Sequence, residues 1–280
     1  MRIHGLKKAA VVAIAALVTL GAFSAAYAIQ NGQPDGNAHP YVGIIAFYDD
    51  AGNLTGWASG ELLSSTVFLT AGHVTFNVTS GATKIENVRV FFDEVPSLVQ
   101  SDGIEANAVY THPGFLTLWG AGGAHGVPDY DQDDVGVVIL KTEVTLARYA
   151  ELPALGLVDT LKGKTPLDLV GYGVQYRVTS GRAATWGGGE TRYYARSQMV
   201  PGNFLWHDQF IRLTENPGQG KGGISFGDSG GPALLAGTDI LVAVTSYVMN
   251  NNAVGISYSC RVDTEDVQAW LDLFLNPYPV

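Results

Sequence analysis

A single cysteine, Cys260, stands in 280 residues, so no disulfide can close within the chain and packing has to hold it together. Charge is scarce as well, with Asp, Glu, Lys and Arg making up 15% of the residues. Of these, 16 are basic and 26 acidic, a formal net charge of −10 that argues against nucleic acid as a partner, since a polyanion is bound by a basic surface. Beyond residue 28 no apolar run is long enough to span a bilayer, which takes ~20 residues. No zinc-ligand spacing and no phosphate-binding loop occurs, so neither a metal nor a cofactor is expected. Internal repeats are missing too.

What is present begins with a targeting segment. Arg2, Lys7 and Lys8 make a basic start, Ala9 to Leu20 an apolar core, and Ala26-Tyr27-Ala28 a small-x-small cleavage site. Residues 1–28 therefore read as a secretory signal peptide, and the product as a secreted protein, extracellular or periplasmic, that is free of the membrane. Removing them takes away three basic residues and no acidic ones, so the remaining 252 residues carry −13. That length suffices for one large core or two modest ones. A secreted chain without disulfides fits a bacterial exporter. The sequons Asn53-Leu54-Thr55 and Asn77-Val78-Thr79 matter only in a glycosylating host.

From Ile29 onward, short apolar or alternating runs are broken by Gly, Pro, Asn and Asp, which is antiparallel β texture. Strands are expected at 41–48, 61–70, 88–92, 135–140, 167–170, 210–213, 233–235 and 241–247. Many short strands imply a barrel or a sandwich. One late helix is expected over about 264–275, with Thr264 as N-cap, Glu265 and Asp266 in its first turn, and Val267, Trp270, Leu271 and Phe274 on one face. The glycine-rich stretches 120–126, 187–189 and 218–223 read as loops. Pro153, Gly156, Gly163 and Pro166 mark a midpoint, dividing the chain into halves 29–150 and 151–280.

The most informative stretch is Gly227-Asp228-Ser229-Gly230-Gly231-Pro232, a serine hydroxyl in a turn whose glycines permit the φ > 0 geometry that aims several N–H groups at one spot. An ordinary turn would need only part of that string. The same residues satisfy the Gly-x-Ser-x-Gly elbow of α/β-hydrolases, which requires a histidine after the serine. None of the six histidines, His4, His39, His73, His112, His125 and His207, follows Ser229. Subtilisin order could borrow Asp49 or Asp50, but nothing around Ser229 looks like that family's serine segment.

A lone histidine is more often a surface or core residue than a base. His73, however, closes Leu69-Thr70-Ala71-Gly72-His73, where an apolar run ends in small residues. Asp134 opens Asp134-Val135-Gly136-Val137-Val138-Ile139-Leu140, a carboxylate at the entrance to a buried strand that needs a donor such as a histidine N–H. Thr70-Ala71-Gly72-His73, Asp134-Val135-Gly136-Val137 and the Ser229 motif together resemble the three motifs of the chymotrypsin-like (trypsin-type) serine peptidases. Ile29-Gln30-Asn31-Gly32, His39-Pro40-Tyr41-Val42, Gly171-Tyr172-Gly173, Thr245-Ser246-Tyr247 and Arg261-Val262 extend the likeness along the whole chain after residue 28.

The resemblance implies an all-β fold of two six-stranded antiparallel β-barrels, with the active site in the cleft between them and a C-terminal α-helix. It implies Ser229 as nucleophile, His73 as general base and then acid, Asp134 as the group fixing the imidazole, and the N–H groups of Gly227 and Ser229 as the oxyanion hole. Ser246 to Val248, through Tyr247, would pair with an extended substrate. Gly223 would form the base of the specificity pocket, with Val248 and Ser257 on its walls. Because Gly223 offers no carboxylate, the expectation is a small or medium apolar side chain before the cleaved bond, not Arg or Lys. Signal cleavage after Ala28 would free Ile29 to insert beside Asp228 and activate the site. Implied partners are a polypeptide substrate and a protein inhibitor, the chain acting as a monomer.

Departures are coordinated: Val74 and Ser59 stand where family members carry a bridged cysteine pair, and Ser225 where a cysteine often precedes the serine motif. This describes a disulfide-poor branch. The run Asp129-Tyr130-Asp131-Gln132-Asp133-Asp134 lacks the glycine and the final glutamate of an EF-hand loop, so it reads as a solvated loop and not a calcium site. A functional alternative of another class is a secreted binding protein on an inactive peptidase fold.

Overall fold

A computed structural model describes residues 29–117, 131–180, 183–202, 207–248, 253 and 255–276. The expected signal peptide, the glycine-rich stretch 120–126 and Asp129 lie outside them. The first half comprises β1 (Gln33–Pro34), β2 (Val42–Tyr48), β3 (Leu54–Leu62), β4 (Val67–Thr70), helix α1 (Gly72–Thr79), β5 (Val88–Phe91), β6 (Ile104–Thr111), β7 (Leu116–Thr117), β8 (Asp131–Gln132) and β9 (Gly136–Leu140). Six of these strands close into an antiparallel barrel in the order β2-β3-β4-β9-β6-β5. Closure leaves no exposed edge, and the interior fills with Ile44, Phe68, Leu69, Val90, Val137 and Val138.

The second half holds α2 (Leu157–Thr160), β10 (Pro166–Gly171), β11 (Tyr176–Ser180), β12 (Ala183–Gly187), β13 (Tyr193–Gln198), β14 (Phe210–Glu215), β15 (Pro232–Leu235), β16 (Leu241–Val248), β17 (Gly255–Arg261) and α3 (Glu265–Leu275). Its main sheet runs β1-β13-β10-β15-β16-β17-β14. The sheet curls until its ends meet at the isolated bridge Met199↔Leu213, so the second barrel is closed by one bridge where the first is closed by full ladders. β1 is an added strand lent by the N-terminal segment. The chain passes between the halves at Ala150, whose N–H bonds to Leu62 O, and Glu151, which bonds Asp239 O and Leu241 N.

Several expected boundaries move. The run 61–70 is two strands with a turn between them, and α1 forms in residues 72–79, where no element was expected. Strands β6, β13 and β17 escape an apolar-alternation reading because their buried faces are partly polar, as in β17, where Ser257 and Ser259 are fully buried. Stretch 218–223 is not a simple loop: Gly222 and Gly223 are buried and Gly223 pairs with Gln30. α3 starts as expected, with Thr264 extended at the N-cap, but its hydroxyl makes no capping bond. Val267, Trp270 and Leu271 are buried, and Trp270 stacks edge-on to His112 of the first half at 5.0 Å. Among the described residues no helix is long and apolar enough to cross a membrane.

One side chain ties three parts of the chain together. Arg192 is fully buried, and its guanidinium donates to Asp35 Oδ2 at 3.0 Å, Asn37 Oδ1 at 2.7 Å, Val42 O at 2.9 Å, Phe92 O at 2.8 Å and the Tyr172 hydroxyl at 3.1 Å. Asp35 also takes His39 Nδ1 at 2.6 Å. Burial pushes the Asp35 pKa up, yet the His39 bonds and the Arg192 charge outweigh it and hold the carboxyl below its usual value. Removing one partner of such a pair strands the other without compensation. Arg192→Ala is expected to lower the unfolding free energy by about 3–5 kcal/mol in urea denaturation, and a loss under 1 kcal/mol would show that the cluster does not anchor the fold.

Candidate active site

His73 is the second residue of α1, directly after the barrel strand β4. Its backbone N–H bonds to Asp134 Oδ1 at 2.7 Å. The fully buried Asp134 carboxylate thus satisfies a free N–H in the helix's first turn, where the helix dipole favours an anion, and makes up for Ala71, an N-cap with no side-chain acceptor. The same carboxylate lies 3.0 and 2.9 Å from His73 Nδ1 through its two oxygens. A carboxylate at Nδ1 assigns the proton to that nitrogen and leaves Nε2 as the acceptor. Ser246 Oγ, from β16 of the other half, donates to Asp134 Oδ2 at 2.5 Å. The His73 side chain remains 30% exposed, enough to meet a reactant.

Ser229 lies on the loop between β14 and β15, and Ser59 of the first barrel holds that loop. The Ser59 N–H bonds to Ser229 O at 2.8 Å, while its hydroxyl donates to Gly227 O at 2.9 Å and accepts from Tyr172 N at 2.9 Å. Neighbouring N–H groups are paired: Asp228 N with Ser225 O, Gly230 N with Thr245 O and Gly231 N with Asp228 O. Among the described residues, the N–H groups of Gly227 and Ser229 have no acceptor. With Gly227 at φ 95°, the loop presents two alternate free donors beside a half-buried serine, the arrangement that receives a developing oxyanion.

The other residues expected to bind substrate lie on β16, on β17 and in the segment before Ser229. The β15 ladder on β16 stops at Pro232↔Val244, followed by Thr245 N bonding to Gly231 O, so among the described residues no strand lies against Ser246–Val248 on that side. Tyr247 is fixed by stacking on Tyr258 at 4.7 Å and an interplanar angle of 4°. Val248 pairs with Ser257 across the sheet, and Ser257 is fully buried. Gly223 is buried against Glu215, which no sequence motif places there.

Asp228 is fully buried beneath the loop, its two oxygens accepting from Gly173 N and Ser225 N, each at 2.8 Å. Burial raises its pKa to about 7 against the pull of those two N–H groups, and among the described residues no basic side chain pairs with it. Ile29 is fully buried in the core with Leu213 and Ile224, and Gln30 pairs with Gly223, five residues before Asp228. Among the described residues no three His, Cys, Asp or Glu side chains converge as they would around a metal ion.

The glycine of Gly173 is dictated by that carboxylate: a Cβ there would sit 2.4 Å from Asp228 Oδ2. Gly173→Ala is therefore expected to destabilise the fold by about 1–3 kcal/mol through overpacking. Urea denaturation of the single variants and of Gly173→Ala/Asp228→Ala checks it, since truncating the carboxyl should recover part of the loss. Strict additivity would show that the two do not collide.

The family model described as Trypsin matches residues 29–271. Among solved structures, HL collagenase is 16% identical, with a TM-score of 0.62 over 90% of this chain and 100% of that one. The Vibrio cholerae VesB protease is 16% identical, with a TM-score of 0.60 over 89% of this chain and 68% of that one. The scabies mite inactivated protease paralogue S-D1 is 16% identical, with a TM-score of 0.59 over 90% of this chain and 99% of that one. No curated protein sequence matches. At these identities the structures share the fold, while the family model covers most of the chain: this protein belongs to the trypsin family and has its two-barrel serine protease fold.

Proposed function

We propose that this protein is a secreted endopeptidase that cleaves peptide bonds through an acyl-enzyme. An extended substrate lies along Ser246–Val248, and Ser229 Oγ attacks the carbonyl carbon. Its proton passes to His73 Nε2, and Asp134 stabilises the imidazolium while Ser246 holds Asp134. The carbonyl oxygen takes up the negative charge between the Gly227 and Ser229 N–H groups. The C–N bond then breaks, the leaving amine takes the proton from His73, and a water activated by the same imidazole releases the acyl group from Ser229.

The observation that carries this reading is the pairing pattern of the loop, in which the two N–H groups that would stabilise the oxyanion are left free while their neighbours are bonded. Scabies mite paralogue S-D1 is named as inactivated on the same fold, so fold alone does not separate enzyme from binding protein. Labelling by a fluorophosphonate probe, lost in Ser229→Ala, is the expected result, and folded protein that takes no label would support the binding protein. Changing Ser229, His73 or Asp134 singly should lower kcat by at least ~10³-fold, because the three act as one unit. Near-normal turnover in His73→Ala would contradict the assignment.

Activation belongs to the same reading. Uncut, Ile29 stands at φ 47°, a conformation that β-branched residues rarely take and that exists only while the peptide bond to Ala28 does. Cutting there removes that strain and supplies an α-ammonium to the buried Asp228 carboxylate, ordering the loop. Without that partner, the raised pKa of Asp228 means that the folded state keeps a proton the unfolded state gives up, so stability falls as pH rises from the ordinary carboxylate range through about 7. With it, stabilisation persists until pH passes the amine's raised pKa. Protein carrying an extra methionine before Ile29 is expected to be inactive and to lose stability between about pH 4 and 7, the share due to Asp228 being removed by Asp228→Asn. Full activity in the methionine-extended form, its mass confirmed, would end the activation proposal.

A further inference from the structure

We infer that Trp57, on β3, is a positioning residue of the proposed oxyanion site: its indole fixes the peptide unit between Phe226 and Gly227 in the orientation that leaves the Gly227 N–H free. This rests on the peptidase reading above. A Cβ at Gly227 would lie 2.6 Å from Trp57 Nε1, 3.3 Å from its Cδ1 and 3.0 Å from Gly173 Cα. Gly227 is therefore gripped between an indole of the first barrel and the backbone of the second half, with no room for a side chain. Trp57 and Ser59 stand two residues apart on one face of β3 and meet the same loop.

The indole also holds the segment behind the loop. Trp57 Nε1 donates to Tyr172 O at 3.1 Å, an oxygen that takes Glu190 N at 2.9 Å as well. The next two residues reach the loop itself, Gly173 N donating to Asp228 Oδ1 at 2.8 Å and Val174 N to Phe226 O at 2.7 Å. That last bond sets the peptide's orientation. With Phe226 O turned to Val174, the N–H on the opposite side of the same plane, that of Gly227, is left without an acceptor among the described residues. Turned over, the peptide would set the Gly227 N–H against the Val174 N–H and aim a carbonyl oxygen where negative charge has to be received. Glycine itself opposes that rotation little, so its neighbours have to prevent it. Trp57 does so twice, by packing on Gly227 and by holding the chain that presents Val174.

Ser59 cannot do this alone. Its bonds go to Gly227 O, Ser229 O and Tyr172 N, so in the loop they fix the peptides that follow Gly227 and leave the one before it to Val174 and Trp57. The Phe226 side chain is 44% exposed and adds little burial to hold its own backbone. Loss of one oxyanion donor costs about 10²–10³ in kcat, and a donor that is aimed only part of the time costs less. Trp57→Ala is therefore expected to lower kcat by about 10- to 10²-fold and to change KM by less than about threefold. The split follows because the only polar atom of the Trp57 side chain is spent on Tyr172 O and reaches neither the substrate edge nor the His73–Asp134 pair.

Steady-state kinetics of the purified protein, Trp57→Ala and Trp57→Phe on a peptide ester and on its thionoester, in which sulfur replaces the carbonyl oxygen, test this. Sulfur is a weak acceptor, so the ester-to-thionoester ratio of kcat reports how well the N–H pair is aimed. The ratio should narrow by about tenfold in Trp57→Ala and by less in Trp57→Phe, which keeps a ring against Gly227 without the N–H. A loss confined to KM, or a lower kcat at an unchanged ratio, would overturn the assignment, the latter being what lost stability alone produces. Should Trp57→Ala fail to fold, Trp57→Phe decides, with a narrowing of at least about threefold expected and an unchanged ratio overturning the inference. Backbone amide NMR relaxation needs no turnover: the Gly227 order parameter should fall from about 0.85 to below about 0.6 in Trp57→Ala while that of Val137 holds. A Gly227 that stays rigid in that variant would sink the inference too. Folded wild-type protein that takes no fluorophosphonate and cleaves no ester would end the peptidase reading, and the Gly227 order parameter would then decide for Trp57 alone.

Discussion

The bond from the Ser59 N–H to the Ser229 carbonyl is the contact on which the candidate site depends. It joins a strand of the closed barrel to a loop of the other half, and the Ser59 hydroxyl repeats the connection twice, toward Gly227 O and from Tyr172 N. Each bond contributes only about 0.5–1.5 kcal/mol net, but together they hold the loop from both of its sides. With the loop fixed, the Gly227 and Ser229 N–H groups are aimed without reorganisation, and Ser246 can reach across to Asp134. Without that junction, the groups proposed to meet in one reaction lose their common frame.

Buried carboxyls are sorted by their environments. Asp35 has His39 and Arg192 and is held low. Asp228 has two backbone N–H groups and no cation, and sits near neutrality at about 7. Glu215 has one backbone N–H and lies higher, at about 8. Glu61, fully buried on β3 with neither oxygen bonded, is raised well above the carboxylate range and stays protonated. The gradient follows the number and charge of donors, as burial alone would raise all four. The formal charge of −10 counts every one of them as ionised, so it overstates the charge of the folded molecule.

Short motifs around His73, Asp134 and Ser229 were legible because each combines a reactive side chain with small neighbours that clear space around it. β texture was legible from short apolar runs such as β2 and β16, and the two-barrel architecture from the resemblance that those motifs carry. Less could be read where tertiary contacts decide. Helix α1 is rich in β-branched residues and forms because the Asp134 carboxylate, sixty-one positions away, accepts from its first turn. β17 buries Ser257 and Ser259, so its inward face carries no apolar signal. Glu215 sits at a strand end eight residues before Gly223, and nothing in that spacing says that its side chain folds under the glycine. Ser59 was visible only as a missing cysteine; its donor and acceptor roles depend on which loop lies opposite.

A junction made by a hydroxyl and an amide has no redox potential. The sole thiol, Cys260, is buried with its pKa pushed well above the usual value, which keeps it un-ionised and unreactive. Reductants that dismantle cross-linked secreted domains find nothing here to attack, and acquisition of the fold calls for no oxidant and no disulfide isomerase. The same chain can reach the same structure in a reducing cytosol or an oxidising exterior, which frees its folding from the chemistry of the compartment that receives it.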